Sequence, residues 1–118
     1  MDRARCIRRI GLLALVLMTL ELSTPAAHAA YVSANLGRVR LYVYSTFGNG
    51  DVAFYGTPAG SCVGFWLRPT DPGFKNMYAV LLAARAADRP VQVWGYDDQV
   101  WTGSTGTYCR ADTIDFAD

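Results

Sequence analysis

From residue 37 onward, hydrophobic and polar positions alternate with a period of two over most of the chain, and the period lengthens once to that of a helix. In "GRVRLYVYSTF" (37–47), Val39, Leu41 and Val43 alternate with Arg38, Arg40, Tyr42 and Tyr44, which predicts a strand of β-branched and aromatic residues. "GNGD" (48–51) follows as a hairpin turn, because Gly and Asn accept positive φ at little cost. "DVAFYG" gives a second strand with Val52 and Phe54 on one face, and "TPAG" a second turn. "SCVGFWL" gives a third strand, with Val63, Phe65 and Leu67 on one face and Cys62, Gly64 and Trp66 on the other.

The period then changes. Phe74, Met77, Tyr78, Leu81 and Leu82 fall at i, i+3, i+4, i+7 and i+8, which predicts a helix over about 74–88. Thr70 or Asp71 is expected to cap its start, Pro72 suits a first turn, and Arg85 and Arg89 suit the negative end of the macrodipole. Pro90 stops it. Val80, Ala83, Ala84 and Ala87 form a second apolar strip, either plain helix-forming alanine or a contact for another helix in an oligomer. Alternation resumes in "PVQVWGY", where Val91 and Val93 oppose Gln92, Trp94 and Tyr96. "DDQ" (97–99) is expected to turn the chain into a last strand over 100–116, interrupted by Gly103 and Gly106 and slipping register near 111–113 as at a bulge.

The element order is β-β-β-α-β-β, mainly β with one helix, and it predicts an OB-fold-like small barrel. Cys62 and Cys109 fall on the third and fifth strands, which are neighbours in such a barrel.

The front of the chain changes the compositional picture. Arg3, Arg5, Arg8 and Arg9 precede an apolar run from Ile10 to Leu20, and Ala27-His28-Ala29 forms a small-x-small cleavage pattern. Residues 1–29 therefore read as a secretory signal peptide, cut after Ala29 or after Ala30. The run is too short for a mature membrane span, which takes about 20 apolar residues. The remainder, 30–118, is a single small domain expected in the periplasm or outside the cell. It holds seven basic residues (six Arg and Lys75) and eight Asp, a net charge of −1, so it lacks the basic excess that nucleic-acid binding needs. Removing the leader also removes His28 and Glu21, the only His and Glu of the chain. No imidazole is left for acid–base catalysis or a His-containing metal site. The two remaining cysteines, in an oxidising compartment, predict a Cys62–Cys109 disulfide worth about 4 kcal/mol in the chain-entropy model.

"SCVGFW", "FKNMYAVLLAARA" and "RPVQVWGYDDQVWTG" through to Cys109, in that order, resemble the B-subunit group of AB5 toxins, closest to the subtilase-cytotoxin type. The resemblance covers residues 62–109. It implies an OB-fold, a homo-oligomer (a pentamer) with the 74–88 helices lining its centre, and glycan binding in place of catalysis. The chain departs from that group in carrying a single cysteine pair and a short N-terminal half, and no glycan-contacting residue of the group transfers to it.

Aspartates are the only candidate catalytic groups. Asp97 and Asp98 are adjacent, and in extended backbone their side chains diverge, whereas a glycosidase pair faces across a cleft. No loop with calcium-binding spacing is present in the sequence, and no cofactor is implied. The expectation is a non-enzymatic binding module whose ligand site uses Trp94, Tyr96, Asp97, Asp98 and Trp101, in the loop between the last two strands. Trp66, Tyr42 and Tyr44 also lie opposite the Val/Leu stripes and extend this aromatic surface. The ligand is then a glycan or, alternatively, a host or envelope protein bound by a structural or interaction protein.

Overall fold

The computed structural model describes residues 30–57 and 60–118. The expected leader (1–29), and Pro58 and Ala59 of the expected second turn, lie outside the described residues. The described elements are β1 (Tyr31–Leu36), β2 (Arg40–Val43), a 3-10 turn (Phe47–Asn49), β3 (Val52–Tyr55), β4 (Gly64–Leu67), α1 (Phe74–Ala86), β5 (Val91–Val100) and β6 (Tyr108–Phe116). They form one six-stranded sheet in the order β1-β5-β6-β4-β3-β2. All pairings are antiparallel except β4 with β6. The protein is thus mainly β with one helix, as the alternation predicts.

It has one strand more than expected. "YVSANL" alternates correctly, with Ala34 and Leu36 buried and Val32 packed on the core, but Ser33 and Asn35 are weak strand formers that mask the pattern. The chain bends between Leu36 and Arg40, so the expected 37–47 strand begins late and ends at Val43. Gly37 allows the bend: its N–H donates to the Thr57 carbonyl at 2.8 Å, and a Cβ there would lie 2.5 Å from that oxygen. One continuous stretch of chain therefore supplies both border strands of the sheet. The β2–β3 turn falls where expected, with Gly48, Asn49 and Gly50 all at positive φ.

Most inward positions follow the predicted stripes. Val39, Val52, Phe54, Phe65, Leu67, Val91 and Val93 are buried, joined by Leu36 of β1, and Phe54 stacks on Phe65 with ring centroids 6.0 Å apart. Val43 and Val63 depart from their stripes: Val43 ends β2 and is exposed, and Val63 precedes β4 and is exposed. Cys62, expected on the opposite face with Trp66, is buried in the core, where the disulfide draws it.

Helix α1 closes the core with Leu81 and Ala84, while Phe74, Met77 and Tyr78 pack around them. Leu82 is 46% exposed, so the buried stripe continues to position 84 and not through 82. The second apolar strip is accordingly split: Ala84 belongs to the core, and Ala83 and Ala87 face solvent. Neither Thr70 nor Asp71 caps the helix; Gly73 stands at the N-cap without a side-chain bond, because the Asp71 carboxylate is engaged by Arg68 and Arg110. At the other end Asp88 adopts positive φ, its N–H donates to Arg85, and the Arg89 N–H donates to Ala84. This six-to-one and five-to-two pair is a Schellman ending, supplied here by Asp where Gly is usual.

Cys62 and Cys109 form the expected disulfide, with Cα atoms 5.8 Å apart. It ties the entry of β4 to β6 at the parallel pairing, both sulfurs lying in the core.

Candidate functional site

Opposite the core, the sheet carries an array of aromatic rings because the residues between the inward positions are Tyr and Trp. Arg40 and Tyr42 on β2, Tyr55 on β3, Trp66 on β4, and Tyr108 and Arg110 on β6 occupy this outer face. Tyr42 and Tyr55 are diagonal neighbours, stacked with centroids 5.7 Å apart and planes 18° from parallel. Their hydroxyls meet at 3.2 Å. This bond raises the Tyr42 phenol above its ordinary pKa and lowers that of Tyr55, which Arg40 lowers further. A cleft of about 350 Å³ lined by Arg40, Leu41, Tyr42 and Arg85 lies on one side of the pair. A second, of about 310 Å³, is lined by Arg38, Arg40, Tyr55, Gly56 and Thr57.

The array continues over Gly64. A Cβ there would lie 2.5 Å from Tyr108 Cε1 and 2.6 Å from the Phe54 carbonyl oxygen, so only glycine lets the Tyr108 ring lie flat across β4. Burial raises the Tyr108 phenol, with further contributions from Tyr55 and Tyr44. Beyond Tyr108 stands Trp101, with centroids at 5.7 Å from Tyr108, 5.3 Å from Tyr44 and 5.4 Å from Phe47. Trp101 is 4% exposed, and its Nε1 donates to Asp51 Oδ2 at 2.9 Å. Asp51 is the one buried charged residue among those described, and this bond accounts for its burial. The rings of Tyr44 and Phe47 remain exposed above Trp101. The β2–β3 turn and the β5–β6 connection thus meet at the Trp101 ring.

The expected loop site is divided by the fold. Asp97-Asp98-Gln99 is not a turn: β5 runs through it to Val100, and the extra residues are absorbed by a register irregularity between Tyr96 and Val100. The chain reverses instead over 102–107, where Gly103 and Gly106 outrank two aspartates as turn formers and the Ser104 hydroxyl accepts from the Gly106 N–H. The other predicted slip, at 111–113, is present: Trp94 faces Thr113 and Gly95 faces Ala111, leaving Asp112 as the extra residue.

Trp94 and Tyr96 are half-buried on the outer face of β5, well along the strand from Trp101. Tyr96 packs against Tyr31 at 5.2 Å, and the Tyr31 hydroxyl donates to Asp112 at 3.0 Å. The Thr113 hydroxyl pulls the Tyr31 pKa down, but desolvation and the Asp112 carboxylate outweigh it and leave the phenol raised. Asp97 is bonded to Ala30, and Asp98 is exposed. Between the two aromatic groups a polar network spans the face. Arg110 bonds Asp71 at 2.8 Å and Gln99 at 2.6 Å, and Trp66 Nε1 donates to the Gln99 carbonyl at 3.1 Å.

Sequence reasoning placed Tyr42, Tyr44 and Trp66 on this face but missed Tyr55, Phe47 and Tyr108. Tyr55 carried a usable signal, since it alternates with Val52 and Phe54. Phe47 and Tyr108 flank turns, where period-two counting has no purchase. Among the described residues, no three His, Cys, Asp or Glu side chains converge as a metal site, and no helix is long and apolar enough to cross a membrane. No family model, curated protein or solved structure matches this chain, so the likeness of residues 62–109 to the AB5 B-subunit group rests on the sequence pattern alone.

Proposed function

We propose that this protein is an exported, non-enzymatic glycan-binding module that receives its ligand on the outer face around Tyr42 and Tyr55. The observation that carries this is the stacked, mutually hydrogen-bonded tyrosine pair across border strand β2 and its neighbour β3, flanked by two clefts that share Arg40. Flat apolar ring faces suit the C–H faces of sugars, and the phenol hydroxyls, the Arg40 guanidinium and the Thr57 hydroxyl supply directional polar contacts beside them. An OB-type reading of the sheet supports the choice of face. If β1 and β2 count as one bent first strand, that strand borders both ends of a sheet in which the third and last strands lie parallel. OB-folds bind oligosaccharides and oligonucleotides on the second and third strands and on the two loops that here meet at Trp101. Charge favours the sugar: Arg68 and Arg110 are spent on Asp71, and Arg38 pairs with Asp88. Assembly into a toxin-like oligomer through α1 belongs to the same proposal and rests on the sequence resemblance.

A glycan array probed with the exported protein, followed by titration calorimetry on a retained sugar, tests the reading. Tyr42→Ala and Tyr55→Ala are each expected to weaken binding at least tenfold with the melting temperature little changed. Retention of no glycan, together with capture of a defined envelope protein by the same face, would favour the interaction-protein alternative.

A further inference from the structure

Ala30 is held at both of its backbone groups by one residue. Its nitrogen donates to Asp97 Oδ1 at 2.9 Å, and its carbonyl accepts from the Asp97 N–H at 3.2 Å. The β1–β5 ladder begins at the next position, with Tyr31 opposite Tyr96. That same nitrogen is the one the sequence marks for release, since Ala27-His28-Ala29 stands directly before it.

The corner is acidic. Asp97 and Asp98 are adjacent, and Asp112 is joined to Tyr31. The ion pairs among the described residues lie elsewhere, and Arg110, across the ladder from Tyr96, is committed to Asp71 and Gln99. We propose that Asp97 is the docking acid for the α-ammonium that leader removal creates at Ala30, so that processing itself supplies the missing cation and fastens β1 to β5. The step is hydrolysis by an endopeptidase of the export machinery. Water adds across the Ala29–Ala30 peptide and the C–N bond breaks. The water oxygen stays on the new Ala29 carboxylate, and the Ala30 nitrogen leaves as an ammonium, the dominant form at neutral pH. A neutral donor already in place becomes a charged one, and charge-assisted hydrogen bonds are the stronger kind.

The geometry also selects between the two cut sites. Cleavage after Ala29 keeps both contacts to Asp97, whereas cleavage after Ala30 removes both and moves the new ammonium one residue on, to Tyr31. This inference is independent of what the outer face binds.

The full chain, leader included, is expressed in an exporting host and the exported product is weighed by intact mass. A product beginning at Ala30 is expected; one beginning at Tyr31, or one retaining the leader, overturns the proposal. Lys75 is the only lysine of the chain, so in a Lys75→Arg background the α-amine is the only amine left to acetylate. Acetylation removes the charge but keeps an N–H. It is expected to lower the melting temperature by about 2–5 °C when Asp97 is present, and by less than about 1 °C in Asp97→Asn. Asp98→Asn, one residue along, must keep the full shift. No shift with Asp97 present, or equal shifts with and without it, overturns the proposal.

Discussion

Trp94 and Trp101 stand in one eleven-residue stretch, "VWGYDDQVWTG", yet the fold treats them oppositely. Trp101 is sealed beneath Tyr44, Phe47 and Tyr108, and its indole N–H is matched to a buried carboxylate. Trp94 lies half-open on the outer face of β5. What separates them is the irregularity between Tyr96 and Val100, which carries the second tryptophan across to the β2–β3 turn. Residue type alone does not mark a ligand site. A ring is available to a partner only where the sheet leaves one of its faces unoccupied, and here that holds for Tyr42, Tyr55, Tyr44 and Phe47 more than for Trp101.

The largest effect that bears on this contrast is truncation of the two rings. Trp101→Ala is expected to cost about 3–5 kcal/mol in urea unfolding, as for other buried aromatics, and to leave Asp51 without its partner. Trp94→Ala should cost less than about half of that. Comparable losses would erase the distinction. Next comes the disulfide, which clamps β6 directly beside Tyr108. Replacing Cys62 and Cys109 together by Ser is expected to cost about 2–5 kcal/mol. Tyr108 and Trp101 should then gain hydrogen exchange and fluorescence quenching before Trp94 does.

A smaller contrast separates two aspartates. Asp51→Ala is expected to cost about 1–3 kcal/mol through the orphaned indole N–H, while Asp98→Ala, on an exposed side chain, should stay within about 0.5 kcal/mol. The smallest effect is spectroscopic. In an alkaline titration followed by phenolate absorbance, Tyr55 should ionise below the ordinary tyrosine value and Tyr31, Tyr42 and Tyr108 above it. Tyr42→Phe should move Tyr55 back toward its ordinary value. The sign for stability follows. A phenol whose folded pKa is raised contributes fully below its unfolded value near 10, and that contribution is lost as pH rises through the folded value. Tyr108→Phe should therefore lessen the alkaline destabilisation.

Much of the architecture was legible because its signals are local. The inward stripes of Val52/Phe54, Phe65/Leu67 and Val91/Val93, the Gly48–Gly50 turn, the slip at Asp112 and the cysteine pair were all read from alternation, glycine placement and compartment logic. What was misread was weak or non-local. β1 hid behind Ser33 and Asn35, the Asp97-Asp98 turn lost to Gly103 and Gly106, and Leu82 lost the core to Ala84 by the way α1 rolls on the sheet. Asp71 had the chemistry of a cap, but Arg68, three residues before it, and Arg110, from β6, engage its carboxylate.

The sequence by itself determined the class of this protein: mainly β with a single helix and a disulfide, its apolar residues spaced to fill one side of a sheet. These properties follow from periodicity and composition, which act over a few residues at a time. Only the tertiary structure decided which aromatic rings meet one another, which aspartate is buried under Trp101, and which one waits beside the Ala30 nitrogen. Those outcomes depend on strand order and register, which bring together residues dozens of positions apart and leave no trace in local pattern.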